Sequence, residues 1–203
     1  MGYRETNWSL PREYQEIIER QNIYDGTWEK TPSMGWMFVP LTEYHGGGEQ
    51  ATIEPLKEHL PHYEQRLMNL FTAGVQACFR GPRLYDSDET KQTVKKWVSF
   101  YRKYQDILNS DIIHIKRPCG NDYDGIVHVN PNLENKAMAF FYNPTQEKIS
   151  KKITIPLYYS GLKENCVMIT SDLKNHQITL DQFYNIEIDV SIPPKGMKWF
   201  LFR

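Results

Sequence analysis

The apolar residues of this chain change their period near residue 110, and that change limits the possible folds more than any other feature. Upstream, apolar positions recur at helical spacing, broken by two short apolar runs; downstream, apolar and polar residues alternate. Ile186, Ile188, Val190 and Ile192 alternate with Glu187, Asp189 and Ser191, and Ile153, Ile155 and Leu157 alternate with polar neighbours in the same way. Such alternation marks strands with one wet face. Further strand runs are expected at 111–117, 124–130, 136–142, 166–170, 176–180 and 197–202. Turn signals separate them at 118–121, Asn130-Pro131, Asn143-Pro144, Ser160-Gly161 and Pro193-Pro194. About eight strands at this spacing predict an antiparallel β-sandwich over residues 111–203.

Residues 1–110 read differently. Pro11 suits the first turn of a helix capped by Ser9 and running to about Arg20, after which Asp25-Gly26 turns the chain. The run 35–41 (GWMFVPL) is a strand covered on both faces, followed by three glycines at 46–48. A helical stretch over 54–71 is broken at Pro61, which starts its second piece. Residues 75–81 (VQACFRG) form a second buried strand. Asp86 and Glu89 have capping-box spacing and open a long helix over about 87–109, with an apolar stripe of Val94, Trp97, Val98, Tyr101, Ile107 and Leu108. The order helix, strand, helix, strand, helix implies two parallel strands joined by a right-handed crossover. The fold class is therefore α+β: a partial (β/α) barrel-like segment, then the sandwich. Two strands cannot close a barrel. Either the sandwich covers them, or their neighbours lie outside this chain, and the second arrangement is the more economical.

Charge and cysteine usage remove several classes. With 24 Lys+Arg against 25 Asp+Glu, bulk charge gives no pull toward nucleic acid or an anionic membrane. Lys91, Lys95, Lys96, Arg102 and Lys103 follow Asp86, Asp88 and Glu89 on one helix, the order that the helix dipole favours on a solvated face. Cys78, Cys119 and Cys166 are far apart and form no CxxC pair, so free and mostly buried thiols are expected rather than a zinc site or a disulfide framework. No apolar run has membrane-spanning length. The first residues, MGYRETNWSLP, lack a signal-peptide layout, which locates the chain only if residue 1 is the true start. No Rossmann fingerprint, P-loop or HExxH motif is present, so no cofactor and no metal are expected.

Two stretches carry a resemblance. Residues 94–118 (VKKWVSFYRKYQDILNSDIIHIKRP) look like the last barrel helix of α-galactosidase-like glycoside hydrolases and its passage into the first sandwich strand. Residues 138–162 (MAFFYNPTQEKISKKITIPLYYSGL) look like the sandwich core of that clan, with a strand ending in an Asn-Pro turn and a later Ile155-Pro156-Leu157. The likeness covers roughly residues 30–203. It implies that strands 35–41 and 75–81 are the seventh and eighth of a (β/α)8 barrel. The clan's nucleophile and acid/base carboxylates belong to the fourth and sixth strands, so the nucleophile has no counterpart here. The resemblance implies the C-terminal part of a hydrolase, inactive alone, with an upstream barrel portion or a second copy as its partner and carbohydrate as its ligand.

Barrel active sites sit at the carboxyl ends of the strands. Those ends carry Glu43, Tyr44 and His45 after one strand, and Arg80, Arg83, Tyr85 and Asp86 after the other. Glu43, Tyr44, His45, Arg80, Arg83 and Asp86 are accordingly the candidate substrate contacts, with Asp86 alternatively a helix cap. Glu43 and Arg80 are expected side by side, either on sugar hydroxyls or as a structural ion pair. Trp28, Trp36 and Tyr44 cluster near the same rim and suit packing on sugar rings, or belong to the core. His45-Gly46-Gly47-Gly48 matches the HGGG oxyanion loop of esterases, but no G-x-S-x-G elbow accompanies it, and that chemistry is rejected. The competing functional reading is a non-catalytic carbohydrate-binding or dimerising module.

Overall fold

In the computed structural model, residues 8–29, 35–43 and 46–203 are described. The chain is α+β and divides into two compact units, 1–105 and 106–203.

In the first unit, strands β1 (Trp36–Pro40) and β2 (Gln76–Arg80) pair in parallel, Trp36 opposite Gln76 and Pro40 opposite Arg80. Helices α1 (Arg12–Glu29), α2 (Gly48–Ala51), α3 (Leu60–Thr72) and α4 (Asp88–Leu108) alternate with them along the chain in the order expected for β/α units. One face of the pair is closed. Met37, Val39 and Leu41 are buried with Tyr63 and Leu67 of α3, and Tyr63 meets Phe79 edge-on at 6.1 Å. The other face carries Trp36 and Phe38 opposite Gln76 and Cys78, of which the last two are exposed. The expectation of two strands buried on both sides is thus corrected: β2 alternates polar and apolar residues, and its Gln76-Cys78-Arg80 side is open.

Two further expectations change here. Helix α1 continues through Asp25-Gly26 to Glu29, because Gly26 is buried in the helix and Thr27 Oγ1 donates to Ile23 O at 2.7 Å. A glycine in a helix costs only about 1 kcal/mol, which packing overrides. Residues 54–59 are not helical. The amides of Ile53 and Glu54 both donate to Leu41 O (3.1 and 2.7 Å), binding this segment to the end of β1, and α3 starts beside Pro61. The three-glycine run turns sharply, all three at positive φ, and leads into α2. A Cβ on Gly47 would lie 2.6 Å from Ser9 O, so that position admits glycine alone.

The second unit is a sandwich of two antiparallel sheets. Strands β3 (Asp111–Lys116), β4 (Asp124–Val129), β5 (Ala137–Tyr142), β7 (Asn165–Thr170), β8 (Asn175–Thr179) and β10 (Met197–Phe202) form the larger, ordered β3-β4-β5-β10-β7-β8. Strands β6 (Ile149–Pro156) and β9 (Asn185–Ile192) form the smaller. Both contribute to one core: Val127, Ala139, Phe141 and Phe200 from the first sheet meet Ile153, Ile155, Val190 and Ile192 from the second. Each such side chain stabilises the fold by roughly 1.5–3 kcal/mol through burial.

The cysteine expectation is half right. All three thiols are free, but Cys78 and Cys119 are exposed and only Cys166 is buried.

Candidate functional site at the ends of two parallel strands

The carboxyl ends of β1 and β2 lie together. Leu41 N donates to Arg80 O at 2.7 Å, extending the pairing one residue past the strands. Gly81 permits this approach, since a Cβ there would fall 2.7 Å from Leu41 Cβ. The Arg80 guanidinium lies over the Phe38 ring, 3.7 Å from its centroid, on the open face of the sheet. Glu43, two residues past Leu41, is exposed and accepts a hydrogen bond from Gly48 N at 3.3 Å. Tyr44 and His45 lie outside the described residues.

Arg83 and Asp86 belong to a different arrangement, in which the loop after β2 is tied to the segment before α3. The Arg83 Nε and Nη2 atoms donate to the two oxygens of Glu54 at 3.0 and 3.1 Å, a bidentate pair. Asp86 accepts from Lys57 N at 3.1 Å and from Thr90 Oγ1 at 3.1 Å. Its partial burial raises the carboxyl's pKa, but these hydrogen bonds outweigh that effect and hold it below the ordinary value. Tyr63, reaching up from α3, donates its hydroxyl to Leu84 O at 2.8 Å. Burial, with Glu54 and Asp86 nearby, pushes its phenol well above the usual tyrosine range.

The capping box at the start of α4 sits one residue later than its expected place. Thr90 N donates to Ser87 Oγ at 3.2 Å, while Ser87 N donates to Thr90 Oγ1 at 3.0 Å. Ser87 and Thr90 make the reciprocal pair, not Asp86 and Glu89, which frees Asp86 to hold Lys57. Glu54, Lys57, Tyr63 and Thr90 are the rim residues that sequence reasoning missed. Their partners are 4–29 positions away in the chain, and nothing local marks them.

The aromatic expectation at the rim also changes. Trp36 opens β1, at the opposite end from Arg80, and meets Phe38 edge-on at 4.8 Å. Trp28 is exposed near the end of α1 and stacks on Tyr24 at 6.2 Å.

Two carboxylates at the strand ends, Glu54 and Asp86, are held by partners. Glu54 is paired with Arg83, and Asp86 is held low. The carboxyl that burial does raise, Glu19, sits on α1 against Arg66 of α3. Among the described residues no group of His, Cys, Asp or Glu could hold a metal ion. No helix among them is long and apolar enough to cross a membrane.

No protein-family model matches the sequence, and no curated protein matches it either. Solved structures do. A GH36 α-galactosidase from Geobacillus stearothermophilus in complex with raffinose superposes with a TM-score of 0.62 at 12% identity, over 93% of this chain and 24% of its own. The galactosidase domain of an α-galactosidase–sucrose kinase gives 0.56 at 15% identity, over 92% of this chain and 24% of its own. An α-amylase from Geobacillus thermoleovorans complexed with acarbose gives 0.57 at 14% identity, over 98% of this chain and 52% of its own. This chain therefore spans between a quarter and a half of those structures. Its fold is α-galactosidase-like, as residues 94–118 and 138–162 implied, and is similar to a section of larger glycoside hydrolases.

Proposed function

We propose that this chain acts as the C-terminal portion of a carbohydrate-active glycoside hydrolase, supplying two neighbouring barrel strands with their rim and an accessory β-sandwich. In this role Glu43 and Arg80 contact sugar hydroxyls, with Tyr44 and His45 as further sugar contacts. Arg83 and Asp86 stand at the same rim, where their bonds to Glu54 and Lys57 shape it. By itself the chain does not turn over glycosides.

The observation that carries this reading is the placement of Arg80. It lies at the carboxyl end of β2, in register with the end of β1, on the face left open by the helices. In a closed barrel that face points inward, and substrates of this architecture bind over the carboxyl ends of the strands, where Arg80 stands. Phe38 beneath the guanidinium helps to fix its direction at the strand ends. Support comes also from the solved structures of similar fold, which are an α-galactosidase holding raffinose and an α-amylase holding acarbose.

The test is substitution in the hydrolase that carries this chain. Glu43→Gln and Arg80→Ala are each expected to lower kcat/KM by about ten-fold, the cost of roughly one lost charged hydrogen bond. The thermal midpoint is expected to stay the same, because neither side chain belongs to the core. Full kcat/KM in both variants would make these residues structural and overturn the assignment.

A further inference from the structure

The β-sandwich carries an aromatic surface that the strand-end site does not use. Tyr158 and Tyr159, in a 3-10 turn (Tyr158–Ser160) after β6, are each 63% exposed. Phe183 and Tyr184, in the loop before β9, are 68% and 40% exposed. The Tyr158 ring stands edge-on to two neighbours, 5.2 Å from Tyr159 and 5.5 Å from Tyr184.

Both segments are built to hold these rings in place. Leu157 N donates to Tyr184 O at 3.0 Å and joins the two turns. One oxygen of Asp181 accepts from Phe183 N at 2.9 Å and from Asn185 N at 2.8 Å, and Asp181 N donates to Asn185 O at 2.9 Å. The Ser160 hydroxyl donates to Leu157 O and accepts from Leu162 N at 3.2 Å. Tyr184 itself sits at φ 62°, a left-handed conformation that bulky residues rarely adopt. A glycine or asparagine would fit that backbone better. A large ring kept there, on a rigid loop and in contact with Tyr158, points to a use for the ring.

We infer that this cluster is a binding site for the pyranose rings of an oligo- or polysaccharide. Aromatic faces stack on the apolar C–H faces of sugars, and phenolic tips hydrogen-bond their hydroxyls. The hydroxyls of Tyr158, Tyr159 and Tyr184 are engaged by no other described residue. The flanking aliphatic side chains Leu157, Leu162 and Leu180 are all buried, so the surface is aromatic without the aliphatic component that a protein interface mixes in. Its size agrees. The four side chains expose on the order of 500 Å², short of the roughly 800 Å² per partner of a stable protein interface. The site lies within the sandwich unit and does not depend on the strand-end reading.

Affinity electrophoresis of the whole chain, in gels cast with galactomannan, with soluble starch or with neither, tests the inference. Retardation is expected in at least one polysaccharide gel, and the gel that retards identifies the sugar. Tyr158→Ala and Tyr159→Ala are each expected to weaken binding about ten-fold, and together to abolish it. Tyr14→Ala, which removes an exposed aromatic ring from α1 outside both sites, is expected to leave retardation unchanged. Phe183→Ala serves as an independent variant should a tyrosine variant lose its native circular dichroism. No retardation in either gel overturns the proposal, as does equal retardation of the double variant. So does a native dimer that the double variant converts to monomer in sedimentation, which would make the face a contact between copies.

Discussion

Arg66 and Glu19 meet at 2.9 Å with 2% and 1% of their side chains exposed, a buried ion pair between α3 and α1. Around them Gln15 Oε1 accepts from Arg66 Nη2 at 2.7 Å, and Asn69 Nδ2 donates to Glu19 Oε2 at 2.8 Å. Next to this group His62 and Glu16 make a further close pair. The two helices thus join through buried polar groups that satisfy one another.

Removing one partner strands the other. Glu19→Ala or Arg66→Ala is expected to destabilise the first unit by about 3–5 kcal/mol, since an uncompensated charge stays buried. Burial raises Glu19 above its ordinary 4.5, although Arg66 and Asn69 pull the other way. The folded state therefore holds this proton more tightly than the unfolded chain does. This group's contribution is complete below 4.5 and is lost as pH rises through the raised value. Without Arg66 the loss is steeper. Urea midpoints of the Arg66 variant, measured on either side of the carboxyl range, should fall more with rising pH than those of the parent. A parallel pH dependence would show that Arg66 does not compensate Glu19.

The rim loop after β2 depends on Tyr63. Tyr63→Phe removes the donor to Leu84 O and is expected to cost about 1–3 kcal/mol. Amide exchange over residues 82–86 should quicken, while exchange in the sandwich should not change. The phenol is raised above its ordinary value of 10.0, so the neutral form stabilises the fold. Its contribution is complete below that pH and declines as alkali ionises the folded phenol. Ultraviolet titration should show one fewer tyrosine resisting ionisation in the phenylalanine variant than in the parent. Unchanged exchange over the loop would remove Tyr63 from its anchoring role.

Local patterns made some elements legible and hid others. Expected strands at 35–41 and 75–81 correspond to Trp36–Pro40 and Gln76–Arg80, and the expected helix near 87–109 to Asp88–Leu108. In the sandwich each strand was located to within a few residues, by alternation where one face is wet, as in β9, and by the flanking turn signals where both faces are buried, as in β4 and β5. Polarity misled where tertiary contacts decide. The buried face of α1 carries Gln15, Glu16, Glu19, Arg20 and Asn22, so it shows no apolar stripe past Arg20, and a local turn signal at Asp25-Gly26 prevailed in the reading. At the rim, strand-end position was readable from the chain order. The partners of Arg83 and Asp86 were not, since Glu54 and Lys57 come together with them only after the crossover forms.

Asn143 shows the same limit within the sandwich. Its place in an Asn-Pro turn was evident, but its role as a junction was not. The side-chain amide donates to Glu147 O at 2.7 Å, Pro193 O at 3.1 Å and Ile192 O at 3.3 Å, and its oxygen accepts from Thr145 N at 2.8 Å. Asn143→Ala leaves several of these buried groups without partners and is expected to cost roughly 2–3 kcal/mol. Asn143→Asp is expected to be no better, because a carboxylate cannot donate to three carbonyls. Thermal unfolding of the two variants checks both expectations, and a midpoint within a degree or so of the parent in either one contradicts them.

The open face of the β1–β2 pair leads to the last prediction. Among the described residues these strands pair only with each other, which leaves a free edge on each side. Gln76 and Cys78 are exposed beside half-buried Trp36 and Phe38, so the face mixes polar and apolar groups. Cys78 reports directly on what covers it, and Cys119, exposed on the other unit, serves as an internal control. Cys166 is buried, and burial also raises its thiol, so it should alkylate slowly. In dilute solution Cys78 and Cys119 are expected to react with iodoacetamide at similar, fast rates. If the chain pairs with itself or with further barrel strands through β1 and β2, Cys78 becomes protected as concentration rises or as that partner is added, while Cys119 does not. Association of the chain with Cys78 still fully reactive would place the contact elsewhere and leave the sheet face uncovered.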